Sequence, residues 1–215
     1  MEKYIVVEVG GNYGNDTQRY SEIENSLVWC FEPVPALFDK LNEMFINTNN
    51  VTLVKKAVSD FNGTSRFGIS DPRYGAANMG CSSLNEFTDN IHDVWHDRGD
   101  FNMIEYVDVD VIRMDTFIEE SNIEQIDYLH CDAQGSDFQV LKSFGDKINI
   151  LQAGQCEAAN TVSLYKDVDN SADSIIAFLK ENGFRITKIK NHFAQEIDVD
   201  TYKSSTEEID IYFSR

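Results

Sequence analysis

Residues Val7 to Asp16 read "VEVGGNYGND", directly behind the apolar, β-branched start of "YIVVEV" (Tyr4 to Val9). A short apolar run that ends in a glycine turn suits a buried parallel strand, and the residues after Asn15 suit a weak, polar helix to about Glu24. The fold depends on whether this unit recurs. "SLVWCFE" (Ser26 to Glu32) is a second such strand, and "PVPALFDKLNEMFINT" follows with Leu37, Phe38, Leu41, Met44 and Phe45 at helical spacing. "NVTLVKKAVS" (Asn50 to Ser59) reads as a third strand and "GTSRFGIS" (Gly63 to Ser70) as a fourth, antiparallel or at an edge.

Residues 71 to 105 lose periodicity and read as a long loop or lid with one short helix near Asn85 to His96. A loop of that length in a compact domain is usually functional. Its substrate-facing candidates are Tyr74, Asn78, Cys81, Ser82, Ser83, Trp95 and His96. Regularity returns with "VDVDVIR" as a strand, "MDTFIEESN" as a helix, and "IDYLHCD" (Ile126 to Asp132) as a buried strand that enters the helical "AQGSDFQVLKSF". "INILQAGQCEAAN" supplies a strand, "ADSIIAFLKENGF" a helix stopped by Gly183, and "RITKIK" and "EEIDIYFSR" the closing strands. Strand and helix alternate at least five times, which predicts a three-layer α/β sandwich in one domain over 1–215, with a loop insertion at 71–105. Ligands in such sheets bind beyond the carboxyl ends of the strands. That rule singles out Glu8 to Asn15, Glu32, Ala57 to Asp60, Asp132 to Gly135 and Glu157 to Asn160.

The bulk composition narrows the partners. The chain has 215 residues, 42% of them hydrophobic and 26% charged, as in an ordinary folded protein. Its net charge of −19 repels phosphate backbones and anionic headgroups, so nucleic acid and membrane surfaces are poor partners. The apolar runs fall short of the ~18–20 residues of a membrane span, and the first strand follows Met1-Glu2-Lys3 without a signal-peptide core, so the expected compartment is the cytoplasm. Cys30, Cys81, Cys131 and Cys156 are widely spaced, which suits reduced, buried thiols better than zinc or disulfide pairs.

The first turn selects among cofactors. A dinucleotide fingerprint in this frame needs glycines where Asn12 and Asn15 stand, and no phosphate-cradling G-x-x-x-x-G-K-[ST] occurs. A nicotinamide-dependent dehydrogenase is therefore disfavoured. A phosphate-free adenosyl cofactor, S-adenosylmethionine, suits a glycine turn flanked by carboxylates. Glu8 is placed to face its amino-acid end directly or through water. Glu32, 22 residues after Gly10, is placed to accept from both ribose hydroxyls.

The segments "VEVGGNYGNDT", "WCFEPVPALFDKL", "VKKAVSDFNGTSRF", "GCSSL", "IDYLHCDAQGSDFQVLKSF" and "IDIYFSR" resemble, in order and spacing, the FkbM-type methyltransferases from Tyr4 to Arg215. That resemblance implies a Rossmann-like methyltransferase fold with a mostly parallel seven-stranded sheet and an antiparallel C-terminal strand. It implies S-adenosylmethionine as cofactor and a small-molecule or saccharide hydroxyl as acceptor. By position it implies Glu8, Gly10, Gly11, Asn12 and Gly14 as the cofactor turn, and Glu32 and Pro33 of "FEP" at the ribose. It further implies Ala57 and Val58, or Ser59, along the adenine, and Asp132 with Gln134 at the methionine end or the acceptor cleft. Ser82 and Ser83 lie near the cofactor on the same basis. His130 stands where that family usually carries lysine.

Methyl transfer from a sulfonium is an in-line displacement, so much of the acceleration comes from positioning, and a base serves only an acceptor whose proton has a high pKa. Asp132, His130 and His192 are the candidate bases. Strand alternation nominally puts His130 on the side of Asp132. Asp132, Glu157 and Asn160 form an all-oxygen set suited to Mg²⁺ or Ca²⁺, although Glu157 and Asn160 as substrate-binding turn residues are the preferred reading. Two alternatives to a simple O-methyltransferase stay open: a degenerate cofactor-binding module, and a metal-assisted O-methyltransferase.

Overall fold

A computed structural model describes the chain except residues 1, 2, 74–78, 95, 97, 162, 192 and 205–207 and the side chains of 94 and 204. The expectations for Tyr74, Asn78, Trp95 and His192 therefore lie outside the described residues. The strands are β1 (Tyr4–Val9), β2 (Ser26–Phe31), β3 (Val51–Val54), β4 (Ala57–Val58), β5 (Gly63–Ser70), β6 (Met103–Ile112), β7 (Ile126–Cys131), β8 (Leu151–Ala159), β9 (Arg185–Asn191), β10 (Glu196–Ile197) and β11 (Glu208–Ser214). The α-helices are α1 (Asn15–Ser21), α2 (Pro35–Phe45), α3 (Ile91–Val94), α4 (Met114–Ser121), α5 (Asp137–Lys142) and α6 (Ala172–Glu181).

The main sheet has the order β10-β9-β11-β8-β7-β1-β2-β3. β8, β7, β1, β2 and β3 run parallel, and β11 is antiparallel to both β8 and β9. The expected mostly parallel sheet with an antiparallel C-terminal strand is thus present, widened to eight strands by the two-residue β10. Burial explains the strand sequences: Val6, Val7, Val28, Leu129 and Leu151 are fully buried, as continuous apolar runs in a sheet covered on both faces must be.

One predicted strand serves two sheets. The run 50–59 divides at Lys55–Lys56, where the Lys56 N–H donates back to the Val54 carbonyl at 2.9 Å. β3 stays in the main sheet, while β4 joins β6 and β5 in a separate sheet of order β4-β6-β5. β5 is antiparallel to β6, as its sequence suggested. Apolar side chains of this small sheet, Phe67, Ile69, Val109 and Val111, pack with Val34 and Leu37 at the start of α2. The small sheet therefore forms a wall beside the carboxyl ends of β1 and β2.

The helices close where their sequences say they should. Pro35 opens α2, where a missing N–H costs nothing, and Leu37, Leu41 and Phe45 bury one face. Ser171 caps α6 by accepting the Ser174 N–H, and Gly183 follows with φ +82°. Among the described residues no helix is long and apolar enough to cross a membrane.

Candidate cofactor and acceptor site

A cleft enclosing about 580 Å³, its mouth included, opens at the carboxyl ends of β1, β2 and β7. Gly10, Asn12, Glu32, Pro33, Ala57, Val58, Ser82, Asp132 and Gln134 all line it. These are positions singled out from the sequence: those at the ends of β1, β2 and β7 are brought together by the main sheet, Ala57 and Val58 come from β4 of the small sheet, and Ser82 from the loop.

Two left-handed turns make the floor. The β1 turn carries Gly10 at φ +94°, Asn12 at +47° and Gly14 at +81°, and the β7 turn carries Gln134 at +47° and Gly135 at +88°. The turns abut: a Cβ on Gly10 would collide with the Asp132 carbonyl oxygen. The Gly10 and Gly11 N–H groups both donate to the Phe31 carbonyl, at 3.0 and 2.9 Å, which binds the turn to the end of β2.

Glu32 fastens the same junction from its side chain. One carboxylate oxygen accepts the Asn12 N–H and the other the Val34 N–H, both at 2.8 Å. The residue is 4% exposed, and burial pushes its carboxyl up to about 7 against the pull of those two donors. The Asn12 Oδ1, also buried, has no partner among the described residues. Glu32 and Asn12 both line the cleft, and a buried acceptor pair and an unpartnered amide oxygen suit a ligand that brings hydroxyl or ammonium donors. Leu37, Val58 and Phe67 give the adjoining wall an apolar face suited to an aromatic base.

At the β7 end a second network forms. The Gln134 Nε2 donates to Asp132 Oδ1 at 2.5 Å and to Glu157 Oε2 at 3.3 Å, while its Oε1 accepts from the Tyr165 hydroxyl at 3.0 Å. Tyr165 therefore fixes which end of the amide faces the carboxylates. The Asp132 side chain reaches water in the cleft, yet the protein crowded around it raises its carboxyl, against the hydrogen bond from Gln134. Behind it Asp137 is fully buried, accepts the Ala133 and Glu157 N–H groups, and is pushed by burial up to about 7. Burial and then the neighbouring carboxylates of Glu208 and Asp132 raise Glu157.

Several predicted residues lie elsewhere. Glu8 does not line the cleft: it sits under the turn on the α1 face, 1% exposed, with its Oε2 accepting from the Thr17 hydroxyl at 2.5 Å. His130 is beside it, 8% exposed and 4.0 Å from Glu8 Oε1 through Nδ1, and burial lowers its pKa. The strand alternation expected to hold His130 and Asp132 on one side does not carry that far, because β7 ends at Cys131. Gly11 packs toward Cys30 and Leu41, Gly14 toward α2, and the buried Ser59 donates its N–H to Ile112.

Asn160 donates to the Tyr202 carbonyl at 2.9 Å, away from the Asp132–Gln134–Glu157 network. Ser82 bonds to Ser70 and Met79, and the Ser83 hydroxyl donates to the Gln134 carbonyl, so both hold the loop against the cleft. His96 is exposed, and Cys81 faces Asp100 at 3.7 Å. Lys56, Phe67, Met79 and Leu84 line the cleft without having been predicted. Lys56 stands between β3 and β4, inside the run 50–59 that reads as one strand, so the strand-end rule passes over it. Phe67 and Leu84 carry no local signal, since they arrive by packing of a separate sheet and loop.

Residues 8–186 match the family described as the methyltransferase FkbM domain. The chain is similar to the 2-O-methyltransferase NoeI of Sinorhizobium fredii (strain NBRC 101917 / NGR234), with 23% identity over 141 residues, covering 64% of this chain and 56% of that protein. It thus spans little more than half the length of that curated relative. Among solved structures it resembles the methyltransferase FkbM from Methylobacillus flagellatus KT, with a TM-score of 0.53 and 11% identity over 98% of this chain and 44% of the other. It also resembles fibrillarin from Aeropyrum pernix, solved with natively bound S-adenosyl-L-methionine, with a TM-score of 0.50 and 11% identity over 99% and 66%. At such identities the structural likeness is one of fold, the Rossmann-like methyltransferase architecture.

Proposed function

The chain belongs to the FkbM methyltransferase family, and from that premise we propose that it is an S-adenosylmethionine-dependent enzyme that methylates a hydroxyl of a small molecule or saccharide. The observation that carries the reading is the junction at Glu32, where that buried acid and Asn12, whose Oδ1 has no partner among the described residues, line one cleft. Each Glu32 oxygen keeps a lone pair beyond its backbone donor, so two ribose hydroxyls can be received without breaking the turn. Leu37, Val58 and Phe67 offer the adenine its apolar bed.

S-adenosylmethionine supplies, when bound, a methyl group on a positively charged sulfur. The protein's part is to align an acceptor with it and to take the acceptor's proton. Asp132 is the group for that proton. It opens to the cleft, its raised carboxyl is a better base than an ordinary one, and Gln134 holds it in place. Gln134, itself clamped by Tyr165, orients Asp132 and Glu157 without exchanging a proton.

Three further facts support an uncharged hydroxyl acceptor. The similar NoeI is named a 2-O-methyltransferase. The net charge of −19 disfavours a polyanion such as RNA. The carboxylates around Gln134 repel phosphate. The cysteines stand as free thiols, in keeping with action in the reducing cytosol.

The test is transfer of labelled methyl from S-adenosylmethionine to a panel of saccharide and small-molecule hydroxyl acceptors. Transfer to a hydroxyl is expected, falling about 10²-fold or more in Asp132→Asn with the affinity for S-adenosylhomocysteine kept within a few fold. Cofactor binding with no transfer to any acceptor would make the chain a binding module. Transfer to RNA alone would overturn the acceptor class.

A further inference from the structure

We propose that Glu8, Asp16 and His130 form a binding site for a divalent transition ion of the zinc type, under α1 and outside the cleft. Glu8 and His130 are register partners on the adjacent parallel strands β1 and β7, so their side chains leave the sheet on the same face. α1 crosses that face and brings Asp16 over them. One ligand atom from each of the three lies within 4.8 Å of the others.

The second observation is the imidazole itself. His130 is 8% exposed, and its buried Nδ1 has no hydrogen-bond partner among the described residues. An orphaned buried nitrogen in a native core calls for an explanation. It lies 4.0 Å from Glu8 Oε1, too far for a hydrogen bond and about twice a zinc–ligand bond of ~2.0–2.1 Å. Glu8 is already committed in the complementary way: Thr17 occupies Oε2, which leaves Oε1 for an ion. The edge of Tyr20 packs against the imidazole with ring centroids 5.7 Å apart and holds its plane.

Asp16 completes the set and gives it access to solvent. Its side chain is 41% exposed and pairs with Arg19 at 2.8 Å through Oδ1, which leaves the second oxygen to turn inward toward an ion. Arg19 would then be the outer-shell partner that orients a ligating carboxylate. A nitrogen donor with two carboxylates suits Zn²⁺ and its neighbours in the transition series, whereas Mg²⁺ and Ca²⁺ prefer oxygen alone. Three protein ligands leave a fourth position for water. The ion would tie β1, β7 and α1 together just behind the turn that lines the cleft, so its role is structural and its binding is independent of the reaction proposed above.

Equilibrium dialysis of the whole chain against Zn²⁺, with Mg²⁺ in excess as competitor, tests the site, and Co²⁺ absorption reports its geometry. One Zn²⁺ per chain is expected, undisplaced by Mg²⁺, with tetrahedral Co²⁺ bands, and at least tenfold weaker binding in both Asp16→Asn and His130→Asn. Asp16 is on the surface, so Asp16→Asn keeps the test decisive if His130→Asn does not fold. Absence of stoichiometric binding at micromolar Zn²⁺, ready displacement by Mg²⁺, or wild-type affinity in a folded variant would overturn the proposal.

Discussion

Gly10 is the residue at which sequence and chemistry meet most tightly. Its φ of +94° is a region that side chains avoid, and a Cβ would strike the backbone oxygen of Asp132, which no side-chain rotation can relieve. Gly10→Ala should destabilise the protein by at least about 2 kcal/mol in urea unfolding, and S-adenosylhomocysteine binding should weaken with it. A change below about 0.5 kcal/mol would mean that the turn is softer than this contact implies. Gly10, Glu32 and Asp132 were legible because each stands just after an apolar strand pattern. Glu8 was not legible in the same way. Being inside the strand, it follows the pleat to lie under α1, and a rule about strand ends cannot say which way a pleated side chain points.

At the scale of elements, α1 is a helix of seven residues whose attachment rests on few groups. Thr17 is fully buried, and its hydroxyl reaches both Glu8 Oε2 and Cys30 Sγ. Thr17→Val keeps the volume and removes the hydroxyl, which should cost about 1–3 kcal/mol in denaturant unfolding because Glu8 loses its hydroxyl donor. Stability equal to wild type would show that Glu8 finds another donor. The element order was readable from periodicity because buried strands and amphipathic helices carry strong patterns. The split of 50–59 into β3 and β4 was not readable, because both halves are apolar and the break at Lys55–Lys56 carries neither Gly nor Pro. The cleft wall made by Phe67 was hidden with it, since it depends on a second sheet that no local pattern announces.

For the whole molecule the acids decide how stability responds to pH. Burial, the largest cause in each case, pushes Glu32 to about 7, Asp137 to about 7 and Glu208 to about 8. The native state therefore keeps protons that the unfolded chain has released, and the stability these groups give is present below an ordinary carboxylate pKa of about 4 and lost as pH rises through 7 to 8. The ion-paired Asp71, Asp100 and Asp115, held low by Arg73, Arg98 and Arg113, act in the other direction and lose their contribution only as pH falls below about 4. The growing repulsion of a chain at −19 adds to the loss at high pH. The melting temperature of the ligand-free protein should be highest near pH 5 and fall by several degrees by pH 8. A melting temperature that rises across that interval would contradict the assignment of these carboxyls as buried and protonated.

The central claim is that the Glu32 junction holds the adenosyl cofactor, and calorimetric titration of S-adenosylhomocysteine into the wild-type chain and Glu32→Gln tests it most directly. The wild type should bind S-adenosylhomocysteine and not NAD, and Glu32→Gln should bind at least tenfold more weakly, a loss of about 1.4 kcal/mol or more. Equal affinity in the two proteins, or binding of NAD in place of S-adenosylhomocysteine, would contradict it.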